Sequence, residues 1–118
     1  MLKFIEYFTY VKYKKKLFRY RVAVGIVFKK LRLETTINNK PLVQQALNDK
    51  IQIKYNKAWN AAREESLPNT TLENLYLMCD FFQLSFEELF KRIDNISAKE
   101  IDSTIKQRRK LSRLYDKI

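Results

Sequence analysis

The sequence predicts an all-α fold over most of its 118 residues. One Gly and two Pro provide too little turn chemistry for a β-sandwich or a β-barrel. Apolar residues recur at helical spacing from about residue 21 onward. Thr70, Ser85 and Ser97 are each followed three positions later by Glu, which is the spacing of a helix-capping box. Together these observations favour a domain of short helices.

The first twenty residues are interpreted as a basic, aromatic N-terminal extension (1–20). Their aromatic and β-branched residues alternate with polar ones, which favours a strand over a helix. Lys14–Lys16 would then have to make the hairpin turn, because no Gly or Asn marks one.

Residues 21–96 are predicted to form a five-helix domain. In the first helix Val24, Phe28 and Leu31 recur at i, i+4 and i+7. A loop then leads to Pro41, which suits the first turn of a second helix from Leu42 to Lys50. A short junction at 51–53 precedes the third helix.

The third helix is predicted from Lys54 to Glu65, and Leu67-Pro68-Asn69 ends it. The capping boxes that begin at Thr70 and Ser85 open the fourth and fifth helices. A third box at Ser97 begins a separate basic, amphipathic C-terminal helix (97–118).

The composition excludes most enzyme sites. Without His, and with Cys79 as the single Cys, the chain has neither a Cys/His zinc cluster nor a nucleophile paired with His. One Gly also cannot supply a phosphate-binding loop. We therefore expect a non-enzyme that binds no metal or cofactor, with Cys79 as an inert core residue. The longest apolar run, Val22 to Phe28, is too short to cross a membrane, so we expect a cytoplasmic protein.

The net charge of +11 is concentrated at the two ends of the chain. Residues 1–33 hold ten Lys/Arg and one acid, for a net charge of +9. Residues 34–96 hold seven bases and nine acids, for −2, and residues 97–118 hold seven bases and three acids, for +4. The excess charge indicates either a polyanionic partner or an anionic membrane surface, and the flanks would hold it.

The helix order resembles that of the lambda-repressor-like (Cro/CI-type) helix-turn-helix family. Three stretches carry the resemblance: Val24-x3-Phe28-x2-Leu31-Arg32, then Gln44-x2-Leu47-x3-Ile51-x-Ile53, and finally Pro68 followed by Leu72-x2-Leu75-x2-Met78-Cys79-x2-Phe82-x-Leu84-Ser85-x3-Leu89. Together they cover about residues 21–96. The resemblance implies a DNA-binding domain whose third helix enters the major groove.

The resemblance places the base contacts on the third helix, at Lys54, Tyr55, Asn56, Lys57 and Asn60. Asn can hold adenine by two hydrogen bonds, and Lys can reach guanine or a phosphate. Gln44 resembles the glutamine with which the family clamps the DNA backbone, and Lys40, Lys50 and Arg63 are expected to contact phosphates as well. The alternative is a face of a core helix that only meets solvent. Trp59 is expected in the core.

The basic flanks have two interpretations. They are either solvated surface or further phosphate contacts, made by Lys14, Lys15, Lys16, Arg19, Arg108, Arg109 and Lys110. The tyrosines among the N-terminal lysines either stack on single-stranded bases or pack on the domain or on a second copy, and packing is favoured. At the C-terminus an apolar stripe predicts a homodimer seam formed by Leu111, Leu114, Tyr115 and Ile118.

The leading hypothesis is a small DNA-binding transcriptional regulator, a repressor associated with a bacterial nucleoid. It would bind double-stranded DNA as a dimer and act by occupying the promoter. One alternative is the antitoxin of a toxin–antitoxin pair, with a protein partner at the N-terminal extension. Another is an RNA- or protein-binding module that uses the basic termini. A membrane-surface role for the N-terminus is weaker.

Overall fold

The structure, a computed structural model, describes residues 2–65 and 71–118, and only the backbone of Leu2. These residues are mostly helical, which confirms the all-α class apart from one small hairpin. The α-helices are α1 (Leu2–Glu34), α2 (Gln44–Tyr55), α3 (Leu72–Phe82), α4 (Phe86–Asp94), α5 (Ala98–Gln107) and α6 (Arg109–Asp116). A 3-10 helix spans Ala61–Glu64, and β1 (Thr36–Ile37) pairs antiparallel with β2 (Lys40–Pro41).

The N-terminal extension is not a strand, because residues 2–20 form the first part of α1. No Gly, Pro or Asn interrupts this stretch. From Phe18 onward α1 packs on the core, and a packed helix extends one residue at a time at low cost. A strand would need a neighbouring strand to satisfy its backbone. The first part of α1 is mostly exposed, and the molecule measures 59 × 27 × 25 Å.

The loop after α1 folds into the hairpin. Asn38 and Asn39 form its turn with φ angles of 54° and 64°, the left-handed values that a two-residue type I′ turn requires. Pro41 therefore lies in β2, and it does not start the second helix as predicted. Helix α2 begins at Gln44 and continues through the predicted junction at 51–53.

The predicted helix from Lys54 to Glu65 is wrong. Helix α2 ends at Tyr55, since Asn56 takes the left-handed conformation (φ 52°) and its N–H donates to the Gln52 carbonyl. The carboxamide of Asn48 accepts a hydrogen bond of 2.7 Å from the Ala61 N–H, and that of Asn60 accepts one of 3.0 Å from Ala62. These side chains satisfy backbone groups outside a regular helix. The five-helix arrangement expected from the resemblance is therefore not confirmed.

Short polar caps start α3, α4 and α5. The hydroxyls of Thr71, Ser85 and Ser97 each accept a hydrogen bond from a backbone N–H three residues later. The predicted capping box of Ser85 and Glu88 is confirmed with both of its bonds. The N-cap of α3 is Thr71, not Thr70 as predicted, so the helix begins one residue later. The stop at Leu67-Pro68-Asn69 and the Pro68 match lie outside the described residues.

The C-terminal region forms two helices where one was predicted. Arg108 takes an extended conformation (φ −109°, ψ 106°) between α5 and α6, so the chain turns there. Leu111 of α6 consequently joins the same buried cluster as Phe18 of α1 and Leu47 of α2. Within residues 2–65 and 71–118, no helix has the length and apolar character needed to cross a membrane.

Candidate nucleic-acid interface

Two predicted base-contact residues, Lys54 and Tyr55, lie at the end of α2 and face Asp80 of α3. The Tyr55 hydroxyl donates a 2.6 Å hydrogen bond to Asp80 Oδ2. Burial, and then this bond, raise the pKa of Tyr55 to about 12. Lys54 Nζ lies 3.9 Å from the same carboxylate oxygen. The Asp80 carboxylate therefore offsets positive charge at this edge of the molecule.

Lys57, two residues beyond α2, is also held by α3. Its Nζ donates to Asn74 Oδ1 at 3.0 Å and lies 3.0 Å from Glu73 Oε1. Its side chain is only 29% exposed, so a DNA contact would have to displace partners that it already has.

Asn56 and Asn60 differ in what their side chains do. The Asn60 carboxamide oxygen caps the 3-10 helix. Asn56 is exposed, and its side chain makes no hydrogen bond with any described residue. Of the five predicted base-contact residues, Asn56 therefore has the side-chain amide that is available to a base edge.

Of the predicted phosphate-contact residues, two are exposed without an ion pair and two contact other side chains. Lys40 and Lys50 are exposed and have no ion pair within the described residues. Gln44 Nε2 lies 3.4 Å from Glu64 Oε2, and the Arg63 guanidinium lies 5.3 Å from the ring centroid of Trp59. Trp59 is buried, as predicted for a core residue.

A buried ion pair that the sequence did not predict lies beneath the segment after α2. Arg32 of α1 binds both carboxylate oxygens of Glu64, at 2.8 and 3.1 Å, and donates a 2.7 Å bond to the Leu42 carbonyl. The two side chains are 8% and 3% exposed. Glu64 is followed by Glu65 in the sequence, and nothing in this pair of acidic residues indicates that the first is buried. The pair ties the segment after α2 to α1.

The two basic ends of the chain meet where α6 packs on α1. The rings of Phe18 and Tyr115 lie 5.4 Å apart, and Lys15 Nζ lies 5.5 Å from the Tyr115 ring centroid. Arg19 forms an ion pair with Asp102 of α5. Its hydrogen bond to Asp102 raises the pKa of the guanidinium. Residues almost one hundred positions apart in the sequence are thus neighbours.

Most of the predicted flanking phosphate contacts have no acidic partner. Lys14, Lys15, Lys16, Arg109 and Lys110 make no ion pair with any described residue, and neither does nearby Arg113. Arg19 and Arg108 differ, because Arg19 pairs with Asp102 and Arg108 lies 3.7 Å from Glu65. We call the unpaired set the α1–α6 basic region: Lys14, Lys15, Lys16, Arg109, Lys110 and Arg113.

The predicted dimer seam takes part in packing within the chain. Leu111 is buried, and Tyr115 is half-buried against Phe18. Ile118 lines a groove beside α1, whereas Leu114 is 37% exposed.

Cys79 of α3 lies in the hydrophobic core of the protein, as predicted. Burial, and then the charge of Glu88, raise the pKa of its thiol. A raised pKa keeps the sulfur in the unreactive thiol form.

Comparisons of the chain with family models, with curated proteins and with solved structures found no match.

Proposed function

We propose that the protein is a small DNA-binding regulator that holds duplex DNA chiefly through the α1–α6 basic region. Base contacts would come from the exposed segment at the end of α2, where the side chain of Asn56 would form the main hydrogen bonds to base edges. A regulator of this kind acts by occupying promoter DNA.

The observation that carries the proposal is the meeting of the two basic ends. The Phe18–Tyr115 contact brings positive flanks from both ends of the sequence into one part of the molecule. The six cations of the α1–α6 basic region form no ion pair with a described residue, so they are available to phosphates. Neutralising DNA phosphates releases condensed counterions, which supplies most of the affinity of non-specific binding.

The end of α2 differs in charge from the α1–α6 basic region, which supports different roles for the two in DNA binding. Lys54 and Lys57 lie near Asp80 and Glu73, so this edge adds little net charge. A neutral amide such as that of Asn56 can still distinguish adenine through two hydrogen bonds. Affinity would therefore come from the flanks and sequence preference from the end of α2.

The packing of α6 supports a stoichiometry of one chain per site rather than the predicted homodimer. Leu111 and Tyr115 pack within the chain, and Leu114, the most exposed residue of the predicted seam, is only 37% exposed. We therefore propose that one chain binds one site, and sedimentation of the protein–duplex complex measures this directly.

The first test selects bound sequences from a random duplex pool and compares the best site with a scrambled one. We expect Asn56→Ala to weaken binding to the selected site by about 5- to 150-fold, the value of a lost bidentate base contact of 1–3 kcal/mol. Binding to the scrambled duplex should not change.

The matching charge variant combines Lys14→Gln, Lys15→Gln and Lys16→Gln, and it should weaken binding to both duplexes equally. Lys91→Gln on α4 is the control, because Lys91 is also exposed and has no ion pair with a described residue. If the pair Lys40→Gln and Lys50→Gln weakens binding more than the triple variant, the phosphate contacts lie on the helical domain and the proposal is wrong.

A further inference from the structure

A groove runs between the first part of α1 and the end of α6. It encloses about 340 Å³. Its apolar lining includes Val11 and Phe18 of α1 and Ile118, which follows α6. Tyr7 and Tyr10 line the groove nearer the N-terminus of α1. The two tyrosines are 63% and 55% exposed, so most of their surface is open to a ligand.

The charged side chains that line the groove are all basic. Lys14, Arg21 and Lys117 line it, and no acidic side chain among the described residues does. Lys14 Nζ lies over one face of the Tyr10 ring, 5.6 Å from its centroid, and Tyr10 is still 55% exposed. This combination suits a ligand that has both an aromatic ring and a negative charge.

A second copy of the chain does not fit this surface. Residues 2–20 hold six Lys/Arg and one acid, so a copy of α1 would bring a net charge of +5 against the same charge. Like charges that face each other oppose association.

A membrane surface does not fit either. One row of α1 at helical spacing consists of Phe4, Phe8, Val11, Lys15 and Phe18, so a cation interrupts its apolar residues. An interfacial helix needs an apolar face that continues along its length, and Lys15 breaks this one.

We propose that the groove binds an unpaired nucleotide of a single-stranded nucleic acid. The base would stack on Tyr10 or Tyr7, and the adjoining phosphates would contact Lys14 and Lys117. Stacking on aromatic side chains beside a basic track is how proteins bind single strands without sequence preference. The inference goes beyond duplex binding, because paired bases do not expose their faces to a side chain.

The experiment measures fluorescence anisotropy with an oligothymidylate of about 12 nucleotides, within the usual site size for single strands. An abasic strand of the same length has the same phosphates but no bases, so it isolates the contribution of stacking. We expect the oligothymidylate to bind more tightly than the abasic strand.

Tyr10→Ala is the diagnostic variant, and Tyr13→Ala is its matched control. Tyr13 lies on the same helix and is 58% exposed, but it does not line the groove. We expect Tyr10→Ala to weaken oligothymidylate binding by about 5- to 150-fold, the value of one stacked base. Tyr13→Ala should change it less than about 2-fold, below the range for a stacked base. Lys14→Gln should weaken binding of both strands.

The inference is overturned if the oligothymidylate and the abasic strand bind equally, or if both tyrosine variants lose the same affinity. Tighter binding to phosphatidylserine vesicles than to the oligothymidylate also overturns it. Duplex affinity is measured in parallel and should be unaffected by Tyr10→Ala. If the duplex binds and the single strand does not, only this inference fails. The reverse result refutes the proposed function instead.

Discussion

Replacing Arg32 with Met removes the cation from the least exposed ion pair among the described residues. Met retains much of the aliphatic volume but none of the three hydrogen bonds that Arg32 donates to Glu64 and Leu42. Glu64, 3% exposed, would then keep only the 3.4 Å contact with Gln44. Leaving one member of a buried pair uncompensated costs about 3–5 kcal/mol, so we expect that loss in the free energy of unfolding.

Urea unfolding followed by Trp59 fluorescence measures this loss. Trp59 is the only Trp and is 8% exposed, so its emission reports exposure of the core. The double variant with Arg32→Met and Glu64→Met should recover at least about 2 kcal/mol, because no buried charge is left unpaired.

A surface pair provides the control. Lys30 and Glu100 lie 2.9 Å apart, with side chains 48% and 39% exposed, so Glu100→Gln should cost less than about 1 kcal/mol. A loss below about 1 kcal/mol for Arg32→Met, or a double variant no more stable than the single one, would refute the burial argument.

Three further predictions test other parts of the structure. In Gly25→Ala the new Cβ would lie 2.8 Å from the Glu64 carbonyl oxygen, so we expect a loss of about 1–3 kcal/mol in the same urea assay, and unchanged stability would contradict this close approach. In an absorbance titration of wild type minus Tyr55→Phe, the Tyr55 phenol should ionise near pH 12, and Asp80→Asn should lower that midpoint. The folded state favours the neutral phenol, so its contribution to stability is complete below the ordinary tyrosine pKa of about 10 and is lost as the pH rises through 12. A midpoint near 10 contradicts the prediction. Ser85→Ala removes the cap of α4 and should cost about 1 kcal/mol, whereas no measurable loss would show that the cap is dispensable.

Features that depend on local interactions could be predicted from the sequence. The caps at Ser85 and Ser97 involve residues three positions apart, and the structure contains both. The all-α class likewise follows from apolar spacing and from the scarcity of Gly and Pro.

Features that depend on contacts between distant residues could not be predicted from the sequence. Residues 2–20 contain both alternating and helical patterns, and their continuity with a packed helix decides between them. An irregular segment replaces the predicted third helix. Asn48 and Asn60 accept hydrogen bonds from its backbone, and the distant Arg32 binds the side chain of Glu64. The turn at Arg108 and the packing of Tyr115 on Phe18 are equally invisible to a local pattern.

The same limit applies to the candidate site. Composition located the positive charge at both ends of the chain, but only the packing of α6 on α1 shows that the two ends are neighbours. The sequence also grouped Asn56 with Lys57 and Asn60, whereas the contacts of the latter two separate them from Asn56.

The salt dependence of duplex binding tests the central claim most directly. Each phosphate contact contributes about 0.9 to the slope of the logarithm of the binding constant against the logarithm of salt concentration. Neutralising Lys14, Lys15 and Lys16, or Arg109, Lys110 and Arg113, should therefore reduce the magnitude of the slope by up to about 2.7, and combining the two sets should reduce it further. If both triple variants keep the wild-type slope, the two basic ends do not jointly hold DNA.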